Sequence, residues 1–102
     1  MKVKKNLAAL IATLSLFLTG MGSAYAAVSY PGGGTWSYGT RGSGTEVYSN
    51  YHHPSSVHRA STINAWGEYS CTEANPGKWA YNSQRAKPNA VDRSYWAKIR
   101  CA

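Results

Sequence analysis

The sequence predicts an all-β fold, a small antiparallel β-sandwich of five or six short strands, preceded by a helical signal peptide. Three observations predict it. After residue 26 the chain has no Leu, Met or Phe, whereas four Trp and seven Tyr remain beside a few Val and Ile. These aromatic and β-branched side chains favour pleated strands over helices. Their runs are short, and Gly, Pro, Asn and Ser separate them, as in small sandwiches and barrels.

Residues 1–26 have the layout of a secretory signal peptide. Three lysines within the first five residues precede an uncharged stretch from Leu7 to Leu18, and Ala24-Tyr25-Ala26 fits the small-x-small cleavage pattern. The apolar stretch is short for a membrane span, which needs about 20 residues, although an uncleaved anchor is the alternative. We therefore place the cut between Ala26 and Ala27, and predict a secreted, extracellular domain of residues 27–102.

Basic residues exceed acidic ones in this domain. Without the leader the chain has eight Lys and Arg against four Asp and Glu, a net charge of +4. A positive excess favours anionic partners, which outside a cell are wall polymers, lipid phosphates and polysaccharides. Nucleic acid is the poorer fit for an exported chain. The alternative is that the basic residues only keep the protein soluble.

Cys71 and Cys101 are the only cysteines. An exported chain meets an oxidising environment, so we predict one intramolecular disulfide. Closing a loop of about 30 residues contributes roughly 3–4 kcal/mol on the chain-entropy model, a large share of the stability of so small a domain. An intermolecular bridge and two free thiols are the alternatives.

The first part of the domain contains three segments. Ala27 to Gly34 holds a proline followed by three glycines, which predicts a flexible leading segment. Thr35 to Tyr38 predicts a short edge strand. Gly39 to Gly44 predicts a turn, because its glycines do not match the phosphate-binding G-x-G-x-x-G spacing and no helix pattern follows.

The central part predicts a β-hairpin. Glu46 to His52 and Val57 to Ile63 are strands around the breaker Pro54-Ser55-Ser56. With His53 to Ser56 as the turn, Tyr51 lies opposite His58, and both share one face with Val47. The other face then carries Tyr48, Asn50, His52 and Arg59.

The last part predicts three more strands. Ala65 to Cys71 alternates like a strand, and a turn at Asn75-Pro76-Gly77 separates it from a strand at Lys78 to Ser83. In that strand Trp79 and Tyr81 share a side. A polar loop from Gln84 to Arg93 then leads to the closing strand, Ser94 to Cys101.

Histidine and tyrosine side chains are densest around the predicted hairpin. Their rings offer donors, acceptors and flat faces that suit sugars and phosphates, although packing around a turn is the plainer interpretation. The candidate ligand-binding residues in this group are Tyr48, Asn50, Tyr51, His52, His53 and His58.

A metal site or an enzyme is not predicted. Adjacent histidines on a strand point to opposite faces, so His52 and His53 could share a zinc ion only across a sharp bend. No H-E-x-x-H or G-x-S-x-G pattern is present, and Asp92 is the only aspartate. We therefore predict no catalytic residue, no metal and no cofactor.

A second group of candidate ligand-binding residues is basic. Arginine forks and lysine charges both bind phosphate oxygens, although charged residues in a polar loop are usually only solvated. The candidates are Arg59 on the predicted hairpin, with Arg85, Lys87 and Arg93 around the polar loop.

Several segments together resemble the lactococcin 972 family of secreted bacteriocins. The run YSNYHH at Tyr48 to His53, followed by His58, is the most specific of them. The other matching positions are Gly34-Thr35-Trp36, Tyr38-Gly39, Ala60, Gly77 to Ala80 and Tyr95-Trp96.

The resemblance implies a compact antiparallel β-sandwich made with a leader that is removed on export. It also implies an unmodified antibacterial protein that acts from outside on related Gram-positive cells. In the namesake of the family the target is lipid II, the undecaprenyl-linked wall precursor, and septum formation is blocked. The expected partner is therefore lipid II or an anionic wall polymer, and the target membrane is contacted at its surface only. A homodimer with a second copy is left open.

The chain departs from the family pattern at its C-terminal end. The Cys71 and Cys101 pair is not a feature of the family, and the basic Lys98 and Arg100 replace a more neutral tail. A non-toxic secreted module that binds envelope or polysaccharide is the alternative function. A small secreted hydrolase is a more distant one.

Overall fold

A computed structural model describes residues 25–102, and residues 1–24, most of the predicted helical signal peptide, lie outside the described part. The all-β sandwich is confirmed. The described chain forms seven strands rather than five or six, together with a short 3-10 turn at Pro31–Gly33. The strands are β1 (Tyr25–Ser29), β2 (Thr35–Arg41), β3 (Glu46–His52), β4 (His58–Ile63), β5 (Tyr69–Ala74), β6 (Trp79–Arg85) and β7 (Arg93–Ala97).

The strands form two antiparallel sheets. The four-stranded sheet has the order β1-β2-β3-β6, and the three-stranded sheet has the order β5-β4-β7. The chain changes sheet after β3, after β5 and after β6. The long-range pairing of β3 with β6 therefore brings together segments that are distant in sequence.

The predicted hairpin between β3 and β4 is wrong. Tyr51 pairs with Trp36 on β2 and with Ala80 on β6, whereas His58 lies opposite Ala74 on β5. The segment between the strands crosses from one sheet to the other, and within it the His53 ring accepts the backbone N–H groups of Ser55 and Ser56. Both side chains of the predicted pair are nevertheless buried, each contributed by its own sheet.

Further boundaries differ from the prediction. Gly39 to Arg41, expected in a turn, extend β2, whereas Gln84, Arg85 and Arg93, expected in a loop, lie in β6 and β7. The segment expected to be flexible contains Ala27 to Ser29, the last three residues of β1, and the pairing of β1 with β2 makes β2 an inner strand rather than an edge. The segment Ala65–Gly67 is a turn, since the Asn64 side chain accepts the N–H groups of Trp66 and Glu68. The closing strand ends at Ala97, and the chain then crosses the three-stranded sheet.

The apolar core is small. Tyr51, Ala60 and Ala80 are fully buried at its centre, and Trp36 and Trp96 pack against them. So few large apolar groups give limited hydrophobic stabilisation, which scales with the area buried.

Hydrogen bonds between the sheets fill the rest of the interior. The Trp36 indole N–H donates to Ser49 Oγ at 2.9 Å, and that hydroxyl donates to the Tyr95 carbonyl at 2.8 Å. Thr62 donates to the Asn82 side-chain oxygen at 2.8 Å, and the Asn82 amide donates in turn to hydroxyls of β5. Satisfied polar networks of this kind fix one packing of the two sheets.

The C-terminal segment 98–102, here called the strap, is joined to the sandwich by a disulfide. The predicted disulfide between Cys71 and Cys101 is present, and it ties the C-terminal residues to β5. Within the strap the Arg100 guanidinium donates to Glu73 at 2.9 Å, and the Cys101 N–H donates to the other oxygen of that carboxylate at 3.1 Å. The strap thus lies across the outer face of the three-stranded sheet. Among residues 25–102 no helix has the length and apolar character needed to span a membrane.

Candidate functional site

The histidine and tyrosine cluster is divided between the interior and the surface. Tyr51, His53 and His58 lie inside. The Tyr51 hydroxyl donates to the Pro31 carbonyl at 2.9 Å, which ties β3 to the 3-10 turn. These three candidate residues therefore hold neighbouring segments together.

His53 fixes the loop that follows β3. Its Nδ1 accepts the N–H groups of Ser55 at 3.1 Å and Ser56 at 3.0 Å. Since Nδ1 accepts, the ring hydrogen belongs on Nε2, which lies 3.0 Å from the Gly32 carbonyl oxygen. Both ring nitrogens of His53 are therefore used by the backbone.

His58 joins three segments of the sandwich. Its side chain is fully buried, with Nδ1 2.8 Å from the Ser56 carbonyl oxygen and Nε2 2.8 Å from that of Lys78. Neither nitrogen faces solvent. Among residues 25–102 no three His, Cys, Asp or Glu side chains are grouped so that they could hold a metal ion.

The other candidates on β3 point outward from the four-stranded sheet. Tyr48 is nonetheless 7% exposed, because the Arg41 guanidinium lies over its ring, 4.4 Å from the centroid. Arg41 in turn donates to Glu46 at 2.7 Å. Asn50 and His52 are only partly covered and alternate with Tyr48 along the strand.

Two aromatic side chains that were not among the candidates lie beside them. In the β3–β6 pairing Trp79 lies opposite His52, and Tyr81 lies opposite Asn50. The Trp79 and Tyr81 rings are nearly parallel with centroids 5.7 Å apart, and the His52 ring lies 5.4 Å from that of Trp79. We call this surface the aromatic face. Its members are Ser37, Asn50, His52, Trp79 and Tyr81.

Arg85, a basic candidate, is held in an ion pair. It donates to Glu68 at 2.9 Å and 2.7 Å and packs over the Trp66 ring, 4.6 Å from the centroid. The Arg85 guanidinium first, and the Asn64 amide second, lower the pKa of the Glu68 carboxyl to about 2. Charge at this corner of the sandwich is therefore balanced.

The remaining positive charge collects on the outer face of the three-stranded sheet. His58, Ala60 and Thr62 of β4 are buried inside, so Arg59 points outward by alternation, level with Ala97 of β7. Arg93 lies on the same side at the other end of β7, opposite Ile63. We call this surface the cationic face. Its charged members are Arg59, Arg93, Lys98, Arg100 and Glu73.

The cationic face carries most of the net charge. Its four basic residues and one carboxylate give this face a net charge of +3. The whole described chain has eight basic and four acidic residues, a net charge of +4. Within residues 25–102 the three ion pairs use Arg41, Arg85 and Arg100, so Arg59, Arg93 and Lys98 have no carboxylate partner. Lys87, the last basic candidate, is exposed in the loop between β6 and β7.

Exposed apolar groups accompany these charges. Tyr95 of β7 is 42% exposed, and it lies midway between Arg93 and Ala97, the residue that pairs with Arg59. Ile99 of the strap and Tyr69 of β5 are also exposed. The surface thus combines cations with rings and an aliphatic side chain.

The comparison with protein families agrees with this architecture. The family model described as Bacteriocin (Lactococcin 972) matches residues 32–96. The chain belongs to the lactococcin 972 bacteriocin family. The match begins in the 3-10 turn and ends at Trp96 of β7, so it includes six of the seven described strands, without β1 and the strap. No curated protein and no solved structure gives a significant match.

Membership of this family confirms the resemblance seen in the sequence. The most specific matching run, Tyr48 to His53, contributes interior rings and one side of the aromatic face. The cationic face was only partly predicted, since Arg59 and Arg93 were candidates but Lys98 and Arg100 were not. The signal that could have identified the latter was the basic character of the C-terminal end.

Proposed function

We propose that this bacteriocin-family protein is secreted, and that it kills related Gram-positive cells by binding lipid II through the cationic face. The concentration of unpaired positive charge on that face is the observation that carries the proposal. Lipid II presents a pyrophosphate next to sugars at the membrane surface. A cationic surface with exposed rings complements both parts of such a molecule.

The charged groups are arranged at two ends of the face. Arg59 pairs with Ala97 of β7, and Arg93 precedes Ala97 by four residues on that strand. The backbone positions of Arg59 and Arg93 are therefore about 13 Å apart along the strand direction. One Arg59 N–H donates to the Arg100 carbonyl at 3.2 Å, which orients the guanidinium beside the strap. Tyr95 lies between the two arginines. We place the pyrophosphate at Arg59 and the strap, and a sugar against Tyr95.

The proposed mode of action is non-catalytic. His53 and His58 have their ring nitrogens engaged by backbone groups, so neither is placed to activate a nucleophile. Asp92 accepts the Ala65 N–H at 3.0 Å. Tight binding removes the precursor from wall synthesis and requires no bond to be made or broken. Contact with the membrane is then limited to its surface, where Tyr95 and Ile99 reach the headgroups.

Killing assays with charge variants test the proposal. Arg59→Gln/Arg93→Gln removes two charges from the cationic face. The control, Arg41→Gln/Lys78→Gln, removes two charges from the four-stranded sheet, at the end of β2 and just before β6. Purified residues 27–102 of each protein are spotted in dilution series on lawns of related Gram-positive strains. We expect the first variant to lose at least about tenfold in potency while the second keeps it. Equal potency of the two variants, or no killing by the unaltered protein on any strain, contradicts the proposal.

A further inference from the structure

We propose that the aromatic face is a second binding site, for a neutral glycan. It lies on the opposite side of the sandwich from the cationic face. Its central groups are Trp79 and Tyr81 of the edge strand β6, with His52 and Asn50 of β3 beside them. This proposal does not depend on lipid II being the target of the cationic face.

The first argument is the position of the rings. Much of the interior consists of small or polar side chains (Ser, Thr, Asn and Ala) beside Val47 and Tyr51, whereas Tyr81 is 64% exposed and Trp79 is 37% exposed. Burying rings of this size stabilises a domain by about 2–3 kcal/mol each, and this domain has a small core. Exposed aromatic side chains gathered on one surface indicate a binding function.

The second argument is the polar groups beside the rings. Ser37, Asn50 and Tyr81 lie level on three neighbouring strands, so a hydroxyl, an amide and a ring follow one another across the sheet. The Asn50 side-chain oxygen accepts the Asn82 N–H at 3.2 Å. That contact orients the side chain and leaves its NH₂ group to donate to a ligand.

The third argument is charge. Arg41 and Arg85, the cations at the end of the four-stranded sheet, are neutralised by Glu46 and Glu68, each at 2.7 Å. The aromatic face itself has no charged member, and Lys78, just before Trp79, is the one unpaired cation beside it among the described residues. Flat rings that contact the C–H face of a pyranose, together with amide and hydroxyl groups for its oxygens, suit an uncharged sugar chain.

The two faces can be occupied at once. Stacked sheets are about 10 Å apart, and the side chains of each outer face point away from the other. A protein that binds an anionic precursor on one side and a glycan on the other would be retained in the wall close to its target. The glycan site therefore serves localisation rather than killing.

Titration with a soluble, uncharged oligosaccharide tests the inference. The probe is the β-1,4-linked hexamer of N-acetylglucosamine, and long-chain polyphosphate is the anionic control ligand. Binding is measured by tryptophan fluorescence and by calorimetry, each in low and in high salt. The variant is Trp79→Ala/Tyr81→Ala, and the control is Trp66→Ala/Tyr30→Ala, which removes the same ring types from exposed positions elsewhere. Trp79→Phe/Tyr81→Phe keeps an aromatic ring at both positions.

We expect saturable, salt-independent binding of the hexamer. The alanine variant should lose at least about tenfold in affinity, whereas the control and the phenylalanine variant should stay within about threefold. Thermal unfolding of each variant checks that the fold is retained. Absence of hexamer binding, or equal binding by the alanine variant, overturns the inference. The inference is also overturned if the unaltered protein forms a concentration-dependent dimer that only the alanine variant fails to form, because the aromatic face would then be a contact between two copies of the chain.

Discussion

The His58 imidazole and the Tyr51 ring meet in a T-shaped contact between the two sheets, with centroids 5.5 Å apart and ring planes at 83°. Each residue comes from a different sheet, and both are fully buried. Edge-to-face pairs add about 0.5–1.5 kcal/mol to the gain from burial. The interior members of the densest histidine and tyrosine group therefore join the sheets, and the binding sites proposed above lie on the two outer faces.

Two adjacent histidines should differ sharply in their effect on stability. His53→Ala removes the acceptor for two backbone N–H groups, and we expect a loss of about 2 kcal/mol or more in the free energy of unfolding. His52→Ala, on the aromatic face, should change it by no more than about 0.5 kcal/mol. Urea unfolding of the two variants makes the comparison. Equal stabilities would show that the His53 contacts do not hold the loop.

The disulfide should contribute a large part of the stability. Cys71→Ser/Cys101→Ser opens the loop that the bridge closes, and the expected loss is roughly 3–4 kcal/mol on the chain-entropy model. The measurement is chemical unfolding of the variant beside the unreduced protein. Mass spectrometry that finds two free thiols or a covalent dimer in the unaltered protein would contradict the bridge.

Glu68 should make the fold weaken in acid. Its pKa falls from 4.5 to about 2 in the folded protein, because Arg85 and Asn64 donate to the carboxylate. The stabilisation is therefore complete above about pH 4.5 and is lost as the pH falls through about 2. Glu68→Gln should be less stable at neutral pH and approach the unaltered protein in acid. A constant difference at all pH values would show that the ion pair is not the cause.

The mature N-terminus should be Ala27. Cleavage after Ala26 leaves Ala27 to Ser29 paired with β2, so three residues of β1 remain in the four-stranded sheet. Intact mass and N-terminal sequencing of the protein in a culture supernatant measure the site. A chain that stays in the cells, or one that begins elsewhere, would contradict the predicted leader.

Local patterns predicted the strands better than their partners. Glu46–His52 alternates clearly, and its bounds in the structure are those predicted. Trp79 and Tyr81 were expected on one side of a strand, and their rings stack. Their place beside His52 follows from the pairing of β3 with β6, which local alternation cannot predict because the strands are distant in sequence.

Side-chain capping explains the elements that were missed. Asn64 folds the chain into a turn by accepting two N–H groups, which moves β5 towards the C-terminus. His53 accepts two N–H groups in the segment that leads to the opposite sheet, where Pro54 and two serines suggested a hairpin. In each case a polar side chain caps the segment that follows a strand, and a search for alternating apolar residues does not detect such a cap.

Titration against lipid II in uncharged phosphatidylcholine vesicles tests the central claim most directly. Mature protein should bind vesicles that contain lipid II and ignore those that lack it. Arg59→Gln/Arg93→Gln should bind at least about tenfold more weakly than Arg41→Gln/Lys78→Gln, with an affinity that falls as salt rises. Lipid II binding that is equal in the two variants, or no binding at all, would contradict the assignment of the cationic face.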